Sequence, residues 1–288
     1  MTGKVAATTF ETYRSVANFE RAREIAHTTS PFTIEVRFLG GLTRNQQDAF
    51  ATAADRWTRV IIGDLDTALV GDDIIDDLLI EAEGVTIDGR HGILGMAGPT
   101  DFRDGSARFG AFLPAKGVMR FDSADLAAME AENTLVDVIT HEMGHVVGVG
   151  TLWTHFDLLV GAGTQNPSFE GPRAEAEFAA LMGEQGSAPV PVANFGGPGT
   201  QDSHWREAVF AHELMSPFIS EADNPLSRMT AASLGDMGYQ VDLDSAEPYA
   251  LPNLLDLARE GALVPHTAPI GEGMMLPAVP TRLPASTP

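Results

Sequence analysis

The chain has 288 residues, 44% of them hydrophobic, enough to bury a large core and too many for a wholly disordered polymer. Forty Asp and Glu against eighteen Lys and Arg leave a formal charge of -22, which repels phosphate backbones and anionic headgroups and argues against a nucleic-acid partner. No run of eighteen apolar residues occurs, and the opening MTGKVAATTFETYR lacks an apolar signal core, so neither a membrane span nor a Sec signal peptide is expected; the absence of cysteine excludes disulfides, thiolate nucleophiles and Cys-ligated metal.

Residues 1–30 read as a polar N-terminal arm with a surface helix around Phe19 to Ile25. From Pro31 the pattern changes: Phe32, Ile34, Val36 and Phe38 alternate with Thr33, Glu35 and Arg37, the period of a half-buried strand. After Gly40-Gly41, Thr43 and Gln46 form a capping box, and Phe50, Ala53, Ala54, Trp57, Val60 and Ile61 follow at helical spacing. Short apolar runs at Leu78 to Ala82, Gly92 to Ala97 and Gly117 to Phe121 predict a small sheet, with residues 92–98 a candidate exposed edge or a glycine-rich hairpin. A second helix starts at Asn133 or Thr134 and is apolar almost all round, which marks it as buried and central. Residues 151–203 are rich in Gly, Pro and Ala with one helix over Ala174 to Met182, and Asn224 to Tyr239 is helical after its Asn-Pro start. Beyond Pro252 a short amphipathic piece, Leu254 to Arg259, precedes a Pro-rich tail with six prolines between Pro265 and Pro288.

Inside the buried helix stands His141-Glu142-Met143-Gly144-His145. Two His four residues apart project from one helical face, so both imidazoles reach one Zn2+, while the adjacent Glu is set to act on the attacking water. In apolar surroundings these three polar side chains are costly unless a metal satisfies them. Zinc catalysis needs a third protein ligand and one open position. Gly148 follows His145 by three residues and permits the positive φ that ends a helix sharply. In the compact form of the signature the third His stands at position 151, which here is Thr151; His155, His204 and His212 are the remaining candidates, and spacing alone does not choose among them. Glu170 or Glu213 would replace a third His in a gluzincin-type site.

Three stretches, HEMGHVVGVGTLW (His141 to Trp153), GPGTQDSHWREAVFAHELM (Gly197 to Met215) and NPLSRMTAASLGDMGY (Asn224 to Tyr239), resemble the leishmanolysin family of metzincin zinc peptidases. In that family some sixty residues separate the H-E-x-x-H-x-x-G motif from the third His, and the interval from His145 to His204 is 59. The Met-turn methionine follows that His by eleven residues, as Met215 follows His204. The resemblance spans residues 32–252 and implies His141, His145 and His204 as zinc ligands, Glu142 as general base, and Met215 as the floor beneath the metal; Met229 is the rival methionine, better explained, like Met143, by core packing. The shorter chain without cysteines is nearer the compact bacterial branch, and a cysteine switch cannot apply.

The implied fold is an α+β zincin of the metzincin type. An N-terminal subdomain (31–150) carries the sheet and the H-E-x-x-H helix; a mainly irregular or helical C-terminal subdomain (151–252) carries His204 and the Met-turn; the cleft lies between them, flanked by the arm (1–30) and the tail (253–288). The implied activity is zinc-dependent endopeptidase action on a polypeptide, with one Zn2+ per chain and an extracellular location by resemblance. The alternatives are a catalytically silent zinc-binding module and a zinc hydrolase of non-peptide substrates. An oxyanion-stabilising residue is not assignable among Tyr13, Tyr239 and Tyr249. Asp72, Asp73, Asp76 and Asp77, and separately Asp122 and Asp125, are candidate Ca2+ ligands, though a solvated acidic surface or, for Asp122, a helix cap is the stronger reading. His212 with Glu213 is either a pair orienting a ligand or an ordinary surface pair.

Overall fold

The computed structural model describes residues 10–89, 94–197, 199–219, 224–253 and 280–284, and the backbone of 274–275. Its first element corrects the reading of a polar arm: Glu11–Val16 is a strand, β1, antiparallel to β2 (Thr33–Gly40). Most of its residues face solvent, as in an edge strand, so it lacks the apolar alternation that marks β2. Between them, α1 (Phe19–Ile25) starts at Asn18, whose side chain accepts from Arg21 N. Arg21 in turn grips Asp242 with two hydrogen bonds of 2.6 and 2.7 Å and fastens the arm to the body.

Thr43 and Gln46 form the expected capping box of α2 (Arg44–Val60), whose inward face buries Phe50, Ala53, Ala54, Trp57 and Val60. A hairpin follows, β3 (Ala68–Val70) with β4 (Asp73–Ile75), then β5 (Leu78–Val85), β6 (Gly95–Phe102) and β7 (Pro114–Asp122). Helix α3 (Ser123–Glu132) begins at Asp122, whose side chain accepts from Ala124 N, the helix cap that the sequence reading favoured for this residue; beyond that cap the helix gives no pattern in the sequence, because only Leu126 and Met129 are buried and its apolar stripe is thin. The central helix α4 runs Leu135–Val147, and every residue from Val138 to Val147 is buried.

The remainder is built of short pieces: β8 (Leu159–Val160), β9 (Ser168–Phe169), α5 (Pro172–Leu181), β10 (Val190–Pro191), α6 (Glu207–Phe210), α7 (Arg228–Met237), β11 (Met274–Met275) and β12 (Thr281–Arg282). Leu254 to Arg259 lies outside the described residues. The main sheet is mixed, in the order β1-β2-β5-β7-β6-β11, with β12 also on β6. β2, β5 and β7 are parallel, and β6 is antiparallel to β7. Helices α2 and α4 pack on each other, α2 against β1 and β2, α4 against β6 and β7, and the main core lies at these contacts. Strands β8, β9 and β10 form a separate small sheet, and α5 packs on α7. Among the described residues no helix is long and apolar enough to cross a membrane.

Asp77 ties the start of β2 to the chain after α2, accepting from Thr33 N, Thr33 Oγ1 and Leu65 N at 2.8 Å each. Burial pushes its carboxyl from the ordinary 3.8 up to about 6, against these donors. A carboxyl whose folded pKa is raised contributes fully below the unfolded pKa and loses that contribution as pH rises through the folded one. In urea titrations, the midpoint of wild type relative to Asp77→Asn is therefore expected to fall from pH about 4 to pH about 6 and then level off; parallel curves would contradict the assignment.

Candidate metal centre

Helix α4 is buried throughout except for the half-buried Val136 and Asp137 near its start, so His141, Glu142 and His145 enter a buried interior. Gly148 ends the helix with φ 118, a left-handed turn that an L side chain adopts only with strain. That turn brings the Val149 carbonyl back over the last helical coil, where it accepts from His145 Nδ1 at 2.8 Å. Thr151, standing where a compact signature would carry its third His, donates instead to the His145 carbonyl at 2.7 Å.

His204 arrives from the far side, after the Gly-rich stretch. Its Nδ1 donates to Thr200 O at 3.1 Å, while Ala193 N holds its carbonyl at 2.8 Å. His141 Nδ1 donates to Leu214 O at 2.7 Å. Each imidazole has thus spent its Nδ1 proton on a backbone carbonyl, and a neutral ring then presents a bare Nε2. Burial keeps the rings neutral: it lowers His141 from 6.5 to about 3, with the His145 charge adding to it, lowers His145 to about 4, and holds His204 well below its ordinary value. The three Nε2 atoms converge, with separations of 3.0, 3.1 and 3.2 Å. Tetrahedral zinc with Zn–N of about 2.0–2.1 Å spaces its nitrogens by about 3.3 Å, so the donor set fits one such ion. Beside it, Glu142 is 1% exposed, its Oε1 has no partner among the described residues, and burial raises its carboxyl well above 4.5.

Met215 packs against the same helix. Its Sδ would stand 2.6 Å from a Cβ added at Gly144, and Trp57 Cζ2 would stand 2.8 Å away, so the helix approaches both side chains this closely only because position 144 is glycine. Trp57 also donates from Nε1 to Thr140 O at 2.9 Å. The loop that presents Leu214 and Met215 is pinned by Glu213, fully buried, which accepts from Met215 N (2.6 Å), Ser227 N (3.2 Å), Ser227 Oγ (2.6 Å) and Thr230 Oγ1 (2.5 Å). Trp205 N donates to Met215 O at 3.0 Å and stitches that loop to the segment bearing His204.

Of the other sequence candidates, His155 is exposed, stacked at 5.9 Å on Phe102 and edge-on to Phe112 at 5.1 Å. His212 lies against the Tyr249 ring at 5.6 Å. Glu170 is exposed, and Glu213 is consumed by the loop, so neither carboxylate joins the imidazoles. Met229 and Met143 are buried in α7 and α4. All three tyrosines donate elsewhere: Tyr13 to Asp55, Tyr239 to Val147 O, Tyr249 to Phe210 O. The acidic residues give calcium no support: Asp73 pairs with Arg37 and Lys116, Asp76 with Arg14, and Asp122 accepts from Ile87, Asp88, Gly89 and Ala124 amides. Gly144 and Glu213 carry this architecture, yet only their proximity in sequence to the histidines and to Met215 could have hinted at it.

Residues 106–255, more than half of the chain, match the family model for leishmanolysin, peptidase family M8. The chain belongs to the leishmanolysin family. Leishmanolysin-family members are zinc-dependent metallopeptidases, and the matched span contains all three converging histidines, Glu142 and Met215. Comparison with curated proteins gives no match.

Gly144→Ala forces the new methyl into Met215 and Trp57, both with no exposed surface. Overpacking of this kind costs about 1–3 kcal/mol. The expected result is a Tm lowered by several degrees with faster loss of bound zinc to a chelator; a wild-type Tm and chelation rate would show that the floor is not in contact with the helix.

Proposed function

We propose that the protein is a zinc endopeptidase of the metzincin type, in which His141, His145 and His204 hold the metal and Glu142 is the general base. The observation that carries this reading is the meeting of three bare Nε2 atoms at 3.0–3.2 Å beside a buried carboxylate oxygen that lacks a partner among the described residues. Bound zinc supplies Lewis-acid polarisation of the scissile carbonyl and makes water a nucleophile near neutral pH.

The chain's own residues do the rest. Glu142 takes the proton of the attacking water at its free oxygen and returns it to the leaving amine. The carbonyls of Leu214, Val149 and Thr200 keep the three rings in one tautomer and one orientation, as the outer partners of metal-bound histidines commonly do. Met215 closes the apolar floor, with Gly144 allowing its approach, and the dry surroundings raise the strength of every charge interaction at the site. An extended polypeptide would bind by strand addition along the outer side of β6, which overlaps the stretch 92–98 that the sequence offers as either an edge or a hairpin and which packs against α4.

Cleavage of unfolded casein by wild type and Glu142→Ala, with zinc measured on both, tests the assignment. Wild type is expected to cut, and the variant to keep its zinc while losing activity by about a hundredfold or more, the scale of a positioned general base. Zinc in both proteins and cleavage by neither, with ester hydrolysis retained, would instead favour a hydrolase of non-peptide substrates.

A further inference from the structure

The β6 edge already carries a strand of this same chain. On the side away from β7, β11 aligns Met274 with Gly95 and Met275 with Met96, and β12 aligns Thr281 with Asp101 and Arg282 with Phe102, both parallel to β6. The two dipeptides keep one direction and nearly one register, since 274 to 281 spans seven residues and 95 to 101 spans six. Leu283 N extends the pairing by donating to Phe102 O at 2.9 Å. Side chains anchor the second contact: Arg282 Nε lies 3.4 Å from Asp104 Oδ2, and its guanidinium sits 4.7 Å over the Phe112 ring.

The place matters because β6 lies beside the helix of the metal centre. A Cβ at Gly117 on β7 would stand 2.4 Å from Val146 Cγ1 and 2.9 Å from Gly98 O, so the middle of β6 neighbours the residue that follows His145. The two paired dipeptides bracket that middle stretch.

We propose that residues 274–275 and 281–283 are an internal competitor for substrate, a strap paired with the β6 edge at two places that an extended polypeptide must displace. The proposal rests on the peptidase reading above for its consequence, while the strap itself is a matter of strand pairing. Displacement costs the incoming chain part of its binding energy, so the competent state is a fraction of the population and apparent affinity falls by that fraction.

The full chain carrying Arg282→Glu and Leu283→Pro, which reverses the charge facing Asp104 and deletes the donor to Phe102 O, separates the two questions. In a Glu142→Ala background, a fluorescent casein-derived peptide is expected to bind at least fivefold more tightly when the strap is broken, and hydrogen exchange at the 95–102 amides is expected to quicken when no peptide is present. In the active background KM should fall by the same factor with kcat unchanged, and a synthetic peptide of residues 272–286 should inhibit the variant competitively. Arg282→Glu alone should move each readout in the same direction by less. Equal peptide affinity and equal exchange with and without the strap would overturn the proposal. Tighter binding to the strap variants without turnover by any form retaining Glu142 would leave the strap standing and remove the peptidase reading.

Discussion

Three neutral imidazoles point their lone pairs at one another across 3.0–3.2 Å in a buried interior, and no proton lies between them, because each keeps its hydrogen on Nδ1 and donates it to a backbone carbonyl. Such an arrangement is repulsive by itself. A cation at the point of convergence turns the repulsion into coordination and offsets the cost of burying the rings. Everything around the site can be understood as keeping those three rings aimed at one point.

Each ring is aimed by a different device. His145 is held by the turn that Gly148 makes possible, a local matter of seven residues from His145 to Thr151. His141 depends on Leu214, seventy-three residues away, and therefore on Glu213, whose carboxylate gathers four donors and makes one rigid body of the loop and the start of α7. His204 depends on the long intervening stretch, which a cluster of stacked rings closes: Trp153 on Trp205 at 4.5 Å, with Phe169 edge-on to both. The start of α4 is fixed by Arg56, which reaches Asp137, Glu247 and the Asn224 carbonyl at 2.7–2.8 Å. The site is thus assembled from pieces that only tertiary packing can bring together.

That division explains what could be seen in the sequence. Elements governed by local rules were legible: α2 from its capping box and stripe, β2 from its alternation, α4 from its all-round apolarity. The pair His141 and His145 with Glu142 was legible because helical geometry alone sets their relation. The third histidine was not, since spacing left His155, His204 and His212 open and only the family resemblance favoured His204. β1 escaped because an exposed edge strand buries too little to alternate, and α3 because two buried residues make no stripe. Gly144 meets Met215 across seventy-one residues, a contact no local pattern encodes, and Glu213, which the sequence offered as a gluzincin-type ligand or as half of a pair with His212, acts instead through Met215, Ser227 and Thr230.

X-ray absorption at the zinc edge of the purified, metal-loaded protein, beside His204→Ala, tests the central claim most directly. The account predicts one zinc per chain with three imidazole nitrogens at about 2.0–2.1 Å, and two imidazoles with much weaker retention in the variant. A protein that binds no zinc, or a variant that keeps three imidazoles and full affinity, would contradict it.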